Sequence, residues 1–186
     1  PGGRGDGQPV STMMDLEAGT QILYYFAGPA TASLLMSNSA GYGFVALVES
    51  MVSRQKAGKA FMSMNEGEAL CVPSHVAGTS GSVALVDASH VACLSTSGNV
   101  LTYPVSELKV MAGGRGLQLM KLEEADQLAG AAAYTRSVQI IGTGRGGKSK
   151  EETLEIRSLN NAAGKRGGKG KSTGWTFKPS GISRIE

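Results

Sequence analysis

Residues Gly142-Thr-Gly-Arg-Gly-Gly-Lys148-Ser149 satisfy the phosphate-loop pattern G-x-x-x-x-G-K-[ST] letter for letter, directly after the apolar run Val138–Ile141. Such a loop grips phosphate through backbone N–H groups when a strand delivers it and a helix N-terminus follows. Only 37 residues follow Ser149, too few for the further strand–helix units and the metal-holding acid of a nucleotide-binding α/β domain. Beyond the octet, Leu154 and Ile156 alternate with Thr153, Glu155 and Arg157 at the strand period of two. The octet is therefore expected to be a β-hairpin connection.

A second pattern, cations set among glycines, recurs four times: Gly2-Gly-Arg4-Gly-Asp-Gly7, Arg54-Gln-Lys56-Ala-Gly-Lys59, Gly113-Gly-Arg115-Gly116 and Gly164-Lys165-Arg166-Gly-Gly-Lys169-Gly-Lys171. Glycine lets a duplex backbone approach closely, and Lys or Arg neutralises phosphates with release of counterions. A row of such loops binds DNA without reading its sequence. Glycines that only make tight turns, with solvated charges, are the alternative for any single loop. Four in phase favour the DNA reading, with Arg145 and Lys148 of the octet added to the candidate cations. Charge distribution agrees: residues 1–135 carry 7 Lys and Arg against 11 Asp and Glu, whereas residues 136–186 carry 11 against 4.

Other chemistry finds little support. Cys71 and Cys93 lack histidines at ligand spacing, so neither a metal site nor a disulfide framework is expected. His75 and His90 have no acid or nucleophile partner at motif spacing and read as structural. Tyr24, Tyr25, Tyr42, Tyr103 and Tyr134 match no catalytic motif, so no reaction and no cofactor are assigned to the chain. Tyr42 and Phe44 are expected to pack between repeats, and Trp175 with Phe177 to close the last one.

The elements that must position these loops follow from an internal repeat. Residues 34–70 overlay residues 91–128 at a spacing of 57 to 58, with Ser39-Ala-Gly41 on Thr96-Ser-Gly98 and Leu70 on Leu128. Upstream, Leu16, Gly19 and Ile22 repeat Met64, Gly67 and Leu70. Downstream, Val138–Gly144 is the rising strand, residues 144–147 the turn, and Leu154–Leu159 the falling strand. Each unit reads as strand, glycine turn, strand, short polar turn, basic glycine loop and a further strand, a propeller-like blade. Hairpins over 34–47, 91–103 and 138–157 with four glycine loops predict three full blades plus an incomplete first one. Residues 122–134, "LEEADQLAGAAAY", have helix propensity, but their repeat register assigns a strand. With 186 residues, 27 of them glycine, and no apolar run of membrane-spanning length, one soluble all-β domain is expected. The start at Pro1 without Met reads as a fragment of a longer polypeptide.

The segment Gly164-Lys-Arg-Gly-Gly-Lys-Gly170 resembles the basic box of the DNA gyrase A subunit, with Gly164 where that box has glutamine. Together with "AGYGFV" (40–45), "SRQKAGKAFMSM" (53–64) and "PVSELKVMAGGRG" (104–116), it is similar to the C-terminal domain of the A subunit of the sister enzyme, bacterial topoisomerase IV, over nearly the whole chain. The resemblance implies a β-pinwheel whose blades exchange strands, in an open or broken ring. It implies a non-catalytic, cytoplasmic, nucleoid-associated domain that bends duplex DNA and presents it to a catalytic core, made by the rest of the A subunit together with the ATPase B subunit. A propeller-type module docking that core or a chromosome-partition protein is the alternative. The box lies in the last blade here rather than the first, and the earlier loops are degenerate, with Asp6 in one and only Arg115 charged in another.

Overall fold

A computed structural model describes residues 5–80, 83–84 and 87–185. In chain order the strands are β1 (Ser33–Ser37), β2 (Tyr42–Leu47), β3 (Ser74–Ala77), β4 (Thr79–Ser80), β5 (Val83–Ala84), β6 (His90–Ser95) and β7 (Asn99–Pro104). They continue with β8 (Leu117–Gln118), β9 (Leu128–Tyr134), β10 (Ser137–Thr143), β11 (Ser149–Glu155), β12 (Lys171–Ser172) and β13 (Lys178–Ile185). Two short helices, α1 (Val48–Met51) and α2 (Ile156–Asn161), follow β2 and β11.

Three antiparallel hairpins anchor three sheets. Pairings run from Ser33↔Leu47 to Ser37↔Gly43, from His90↔Pro104 to Leu94↔Val100, and from Ser137↔Glu155 to Thr143↔Ser149. The first two hairpins turn through Gly41 (φ 82°) and Gly98 (φ 86°), a left-handed conformation that only glycine holds without strain. The octet that mimics a phosphate loop spans the end of β10, the third turn and the start of β11, so the hairpin reading holds.

The sheet orders are β3-β1-β2-β8, β12-β7-β6-β9 and β11-β10-β13, with β4-β5 a separate ribbon. β8 follows the second hairpin in sequence yet pairs in the first sheet; β12 follows the third hairpin yet pairs in the second. Each unit thus lends a strand to its predecessor. Among the described residues no strand joins the third sheet to the first, so the array is open. The incomplete first unit, residues 5–32, has a single-turn 3-10 helix at Val10–Met13 and otherwise irregular chain.

The middle sheet is covered on both faces. Alternate residues Val91 and Cys93 of β6 pack toward the first sheet with Leu35, Val45, Leu119 and Met120, while Ala92 and Leu94 pack toward the third with Val138 and Ile140. Residues 128–134 form the inner strand β9, as the repeat register requires, with Ala131, Ala132 and Ala133 all buried. Pairing with β6 and burial among three sheets override the local helix propensity. The falling strand of the third hairpin, expected at 154–159, runs instead over Ser149–Glu155 and gives way to α2. The reason is Leu159: it is fully buried, and its carbonyl accepts a 2.9 Å hydrogen bond from Thr102 Oγ1 of the preceding blade. A helical turn brings it there, as helical turns also follow β2 and β7.

Candidate nucleic-acid interface

The glycine segments lie on their predecessors' outer strands. β8 pairs Leu117↔Gly43 and Gln118↔Tyr42, and β12 pairs Lys171↔Val100 and Ser172↔Asn99. The approach is close enough to require glycine. At Gly116 (φ 85°) a Cβ would strike the Gly43 carbonyl, and at Gly170 (φ 74°) it would lie 2.6 Å from the Val100 carbonyl oxygen.

Successive segments are also bonded to one another. Gly114 N–H donates to the Phe61 carbonyl and Ser63 N–H to the Gly114 carbonyl, both at 3.0 Å. One unit on, Gly167 N–H donates to Leu119 O and Lys121 N–H to Gly168 O, both at 2.9 Å. Segments 58–64, 113–121 and 164–171 therefore form one hydrogen-bonded succession across the sheets.

Their cations fall into two groups. Arg115 makes two hydrogen bonds to Glu68, Nη1 to Oε2 at 2.8 Å and Nη2 to Oε1 at 2.6 Å, with its guanidinium 4.4 Å from the Tyr42 ring centroid. Tyr42, expected to pack between repeats, is a platform for this cation. Lys169 pairs with Glu123 at 2.7 Å. Arg166 donates Nε to the Glu107 carbonyl at 3.0 Å and Nη1 to the Gln118 carbonyl at 2.7 Å, while its backbone N–H bonds Glu107 Oε2. Lys59 bonds the Ser50 carbonyl and lies 5.6 Å from the Phe61 ring centroid. By contrast Arg54, Lys56, Arg145, Lys148, Lys165 and Lys171 are exposed and make no ion pair among the described residues. Arg4 lies outside the described residues. Two of the four cations in the densest loop, Arg166 and Lys169, are thus engaged within the protein.

Carboxylates clamp the first two hairpin turns. Glu68 accepts from Asn38 Nδ2 and Asn65 N–H besides Arg115; the Arg115 guanidinium first, and the Asn65 N–H after it, hold its carboxyl below the usual glutamate range. Asp126 accepts from Thr96 Oγ1 (2.7 Å), Ser97 N–H (2.9 Å) and Ser97 Oγ (2.5 Å). Burial pushes the Asp126 carboxyl up, but the Ser97, Thr96 and Ser95 hydroxyls together outweigh it and leave the net shift downward. The repeat overlay held a signal for both acids, since Glu66-Gly-Glu68 sits over Glu124-Ala-Asp126 at the same spacing. Lys150 on β11, two residues past Lys148 of the turn, is a further exposed cation that falls just outside the octet.

The remaining reactive groups sit in the core. The Cys93 thiol, beside Tyr103 Oη at 3.4 Å, is pushed up to about 12 by burial. His75 is buried and stacks against Phe26 at 6.1 Å between ring centroids. Trp175 and Phe177 stack at 5.2 Å and pack against Leu94 and Val100 of the middle sheet and Ile140 of the third. No group of three potential metal ligands occurs among the described residues, and no helix there is long and apolar enough to cross a membrane.

Antiparallel sheets that trade edge strands along an open array define a strand-exchanged β-propeller. The family model described as "DNA gyrase C-terminal domain, beta-propeller" matches residues 89–135. The A subunit of DNA topoisomerase 4 from Neisseria gonorrhoeae is 35% identical over 168 residues, 90% of this chain and 22% of that protein. Its Haemophilus influenzae counterpart is 31% identical over 126 residues, 68% of this chain and 16% of that protein. The chain thus spans about a fifth of the length of the curated relatives it matches. The solved E. coli ParC C-terminal domain superposes with a TM-score of 0.78 at 25% identity, covering 96% of this chain and 71% of that one. A gyrase A C-terminal domain shares the fold with a TM-score of 0.65 at 17% identity, covering 94% and 56%. The chain belongs to the family formed by the C-terminal domains of the gyrase and topoisomerase IV A subunits.

Proposed function

We propose that residues 1–186 act as one β-pinwheel domain that binds and bends duplex DNA without catalysing a reaction, presenting it to the core of a type IIA topoisomerase. The observation that carries this reading is the hydrogen-bonded succession of glycine segments 58–64, 113–121 and 164–171. Repeat units stacked in one direction carry equivalent bends along one edge, so the exposed Arg54, Lys56, Lys165 and Lys171 make a cationic track on which a duplex can lie. Phosphate neutralisation is sequence-independent and strongly salt-dependent. The partners in the holoenzyme are the rest of the A subunit together with the ATPase B subunit, in the bacterial cytoplasm at the nucleoid.

The test is a fluorescence-anisotropy titration of linear duplex at several salt concentrations. Binding of micromolar strength or weaker, with a log–log salt slope of about −0.9 per phosphate contacted, is expected. Salt-independent binding, or none, contradicts the proposal.

A protein-docking role is the second reading, and one feature favours it. Leu23, Tyr25 and Val72 are exposed, and Tyr24 and Val72 line one cleft with Ile182. A Tyr25→Ser, Val72→Ser variant that loses its hold on the topoisomerase core while keeping the DNA salt slope would support this reading over the first.

A further inference from the structure

The third hairpin turn differs from its two counterparts in what stands behind it. Glu68 and Asp126, which clamp the first two turns, come from the stretches just before β3 and β9. The corresponding stretch before β13, Thr173-Gly-Trp175-Thr176-Phe177, contains no acid. It places an aromatic ring there instead. Phe177 underlies Gly142 so closely that a Cβ on Gly142 would come within 2.6 Å of the ring.

The turn itself, Gly144–Lys148, is closed by a 2.8 Å hydrogen bond from Gly144 N–H to the Lys148 carbonyl and passes through Gly146 (φ 71°) and Gly147 (φ 74°). Between it and the Phe177 stretch lies an open cleft of about 750 Å³ lined by Gly144, Arg145, Lys148, Lys150, Thr176 and Phe177. Arg145, Lys148 and Lys150 are exposed and make no ion pair among the described residues. Glu151 bonds Gln139 Nε2 at 3.0 Å. Glu152, on the same face as Lys150, is one pleat further along β11.

We infer that this cleft is a phosphate-binding site: three cations around an apolar floor, at a position where the other two blades hold a fixed carboxylate that would repel an anion. A concave, low-dielectric wall lined by one sign of charge concentrates the field on an entering anion. The ligand chemistry is a phosphate group, either a backbone phosphodiester of duplex DNA or a free polyphosphate. Only the DNA source rests on the proposed function, since the site's charge and shape do not depend on it.

The test uses amide NMR of the 186-residue chain, titrated with inorganic tripolyphosphate and, separately, with a short blunt duplex. The expected result is that the amides of Arg145–Lys148 shift with tripolyphosphate and that an Arg145→Ala, Lys148→Ala variant, with unchanged melting temperature, loses those shifts. Thr176→Glu, which restores a carboxylate behind the turn, is expected to have the same effect without altering the turn. If the duplex also shifts these amides, and the double variant flattens its salt slope by about 1.8 for two lost phosphate contacts, the phosphate comes from DNA. Shifts with tripolyphosphate alone support the site with a free phosphate compound as its ligand. Amides that respond to neither probe overturn the inference. In that case a Lys165→Ala, Lys171→Ala variant that still weakens duplex binding leaves the DNA proposal standing and removes only this site.

Discussion

Arg115 reaches from the glycine segment of one unit to Glu68 of the unit before it, closing a two-bond fork of 2.6 and 2.8 Å over the ring of Tyr42. The matching cation in the next unit, Lys169, makes a single contact with Glu123 at 2.7 Å. A planar guanidinium fits a carboxylate and an aromatic face at once, whereas an ammonium acts as a point charge. The first junction is therefore a fixed staple, and the second an exposed pairing that solvent and salt screen.

Arg115→Ala is expected to lower the denaturant midpoint of the chain while leaving its DNA salt slope within one phosphate of the parent. Arg115→Lys recovers only part of the midpoint, because the fork and the stacking on Tyr42 are both lost. Chemical unfolding and the anisotropy titration read the two effects separately.

The glycines of these segments divide in the same way. Gly170→Ala sets a Cβ 2.6 Å from the Val100 carbonyl oxygen in a left-handed backbone, so a loss of more than about 2 kcal/mol is expected. Gly58 also has positive φ, 73°, but nothing lies within 4 Å of its Cβ position. Gly58→Ala should cost only the backbone term, about 1 kcal/mol. Comparable losses at both positions would contradict the close packing of the lent strand.

Arg166 belongs to the basic box, yet its guanidinium donates to the carbonyls of Glu107 and Gln118. Lysine cannot span both acceptors. Arg166→Lys is expected to destabilise by about 1.5 to 3 kcal/mol, the value of a charge-assisted hydrogen bond, whereas Lys165→Ala should leave unfolding unchanged. Thermal denaturation of the two variants checks this.

Acid sensitivity should concentrate at the turn clamps. The Asp126 carboxyl titrates lower in the folded chain than in the unfolded one, so its contribution is present at neutral pH. That contribution is lost as pH falls through the ordinary aspartate range to the lowered folded value. Asp126→Asn should flatten the stability–pH curve in that window and lower stability above it. A curve that keeps its acid slope would place the titrating group elsewhere.

Burial makes a complementary prediction for the thiols. Cys71 and Cys93 are both buried, with their ionisation pushed up by burial. Neither should react with a thiol reagent near neutral pH until the chain unfolds.

Much of this architecture is legible because the repeat writes it twice. The spacing of 57 to 58 residues locates the hairpins and glycine segments and assigns residues 128–134 to a strand against their helix propensity. The end of the third hairpin is not legible in the same way, because Leu154, Ile156 and Leu159 look alike in an apolar pattern. Only the pocket receiving Leu159, beside Thr102 of the previous blade, makes the chain turn into α2. Among the candidate cations, sequence does not separate Arg166 from Lys165, since the difference lies in carbonyls of Glu107 and Gln118, about fifty to sixty residues away. The acid at Glu68 is within reach, because one recurs at that position in both units, but its pairing with Arg115 is not, since Asp126 bonds Thr96 and Ser97 instead and Lys169 pairs with Glu123.

The most direct measurement compares salt-dependent duplex binding of two variants: one with the exposed Arg54, Lys56, Lys165 and Lys171 changed to Ala, the other with Arg115 and Arg166 changed to Lys. The first is expected to lose affinity, its log–log slope flattening by about 0.9 for each phosphate contact removed, while the second keeps the parent's slope. Equal slopes in the parent and the first variant would contradict the proposed cationic track.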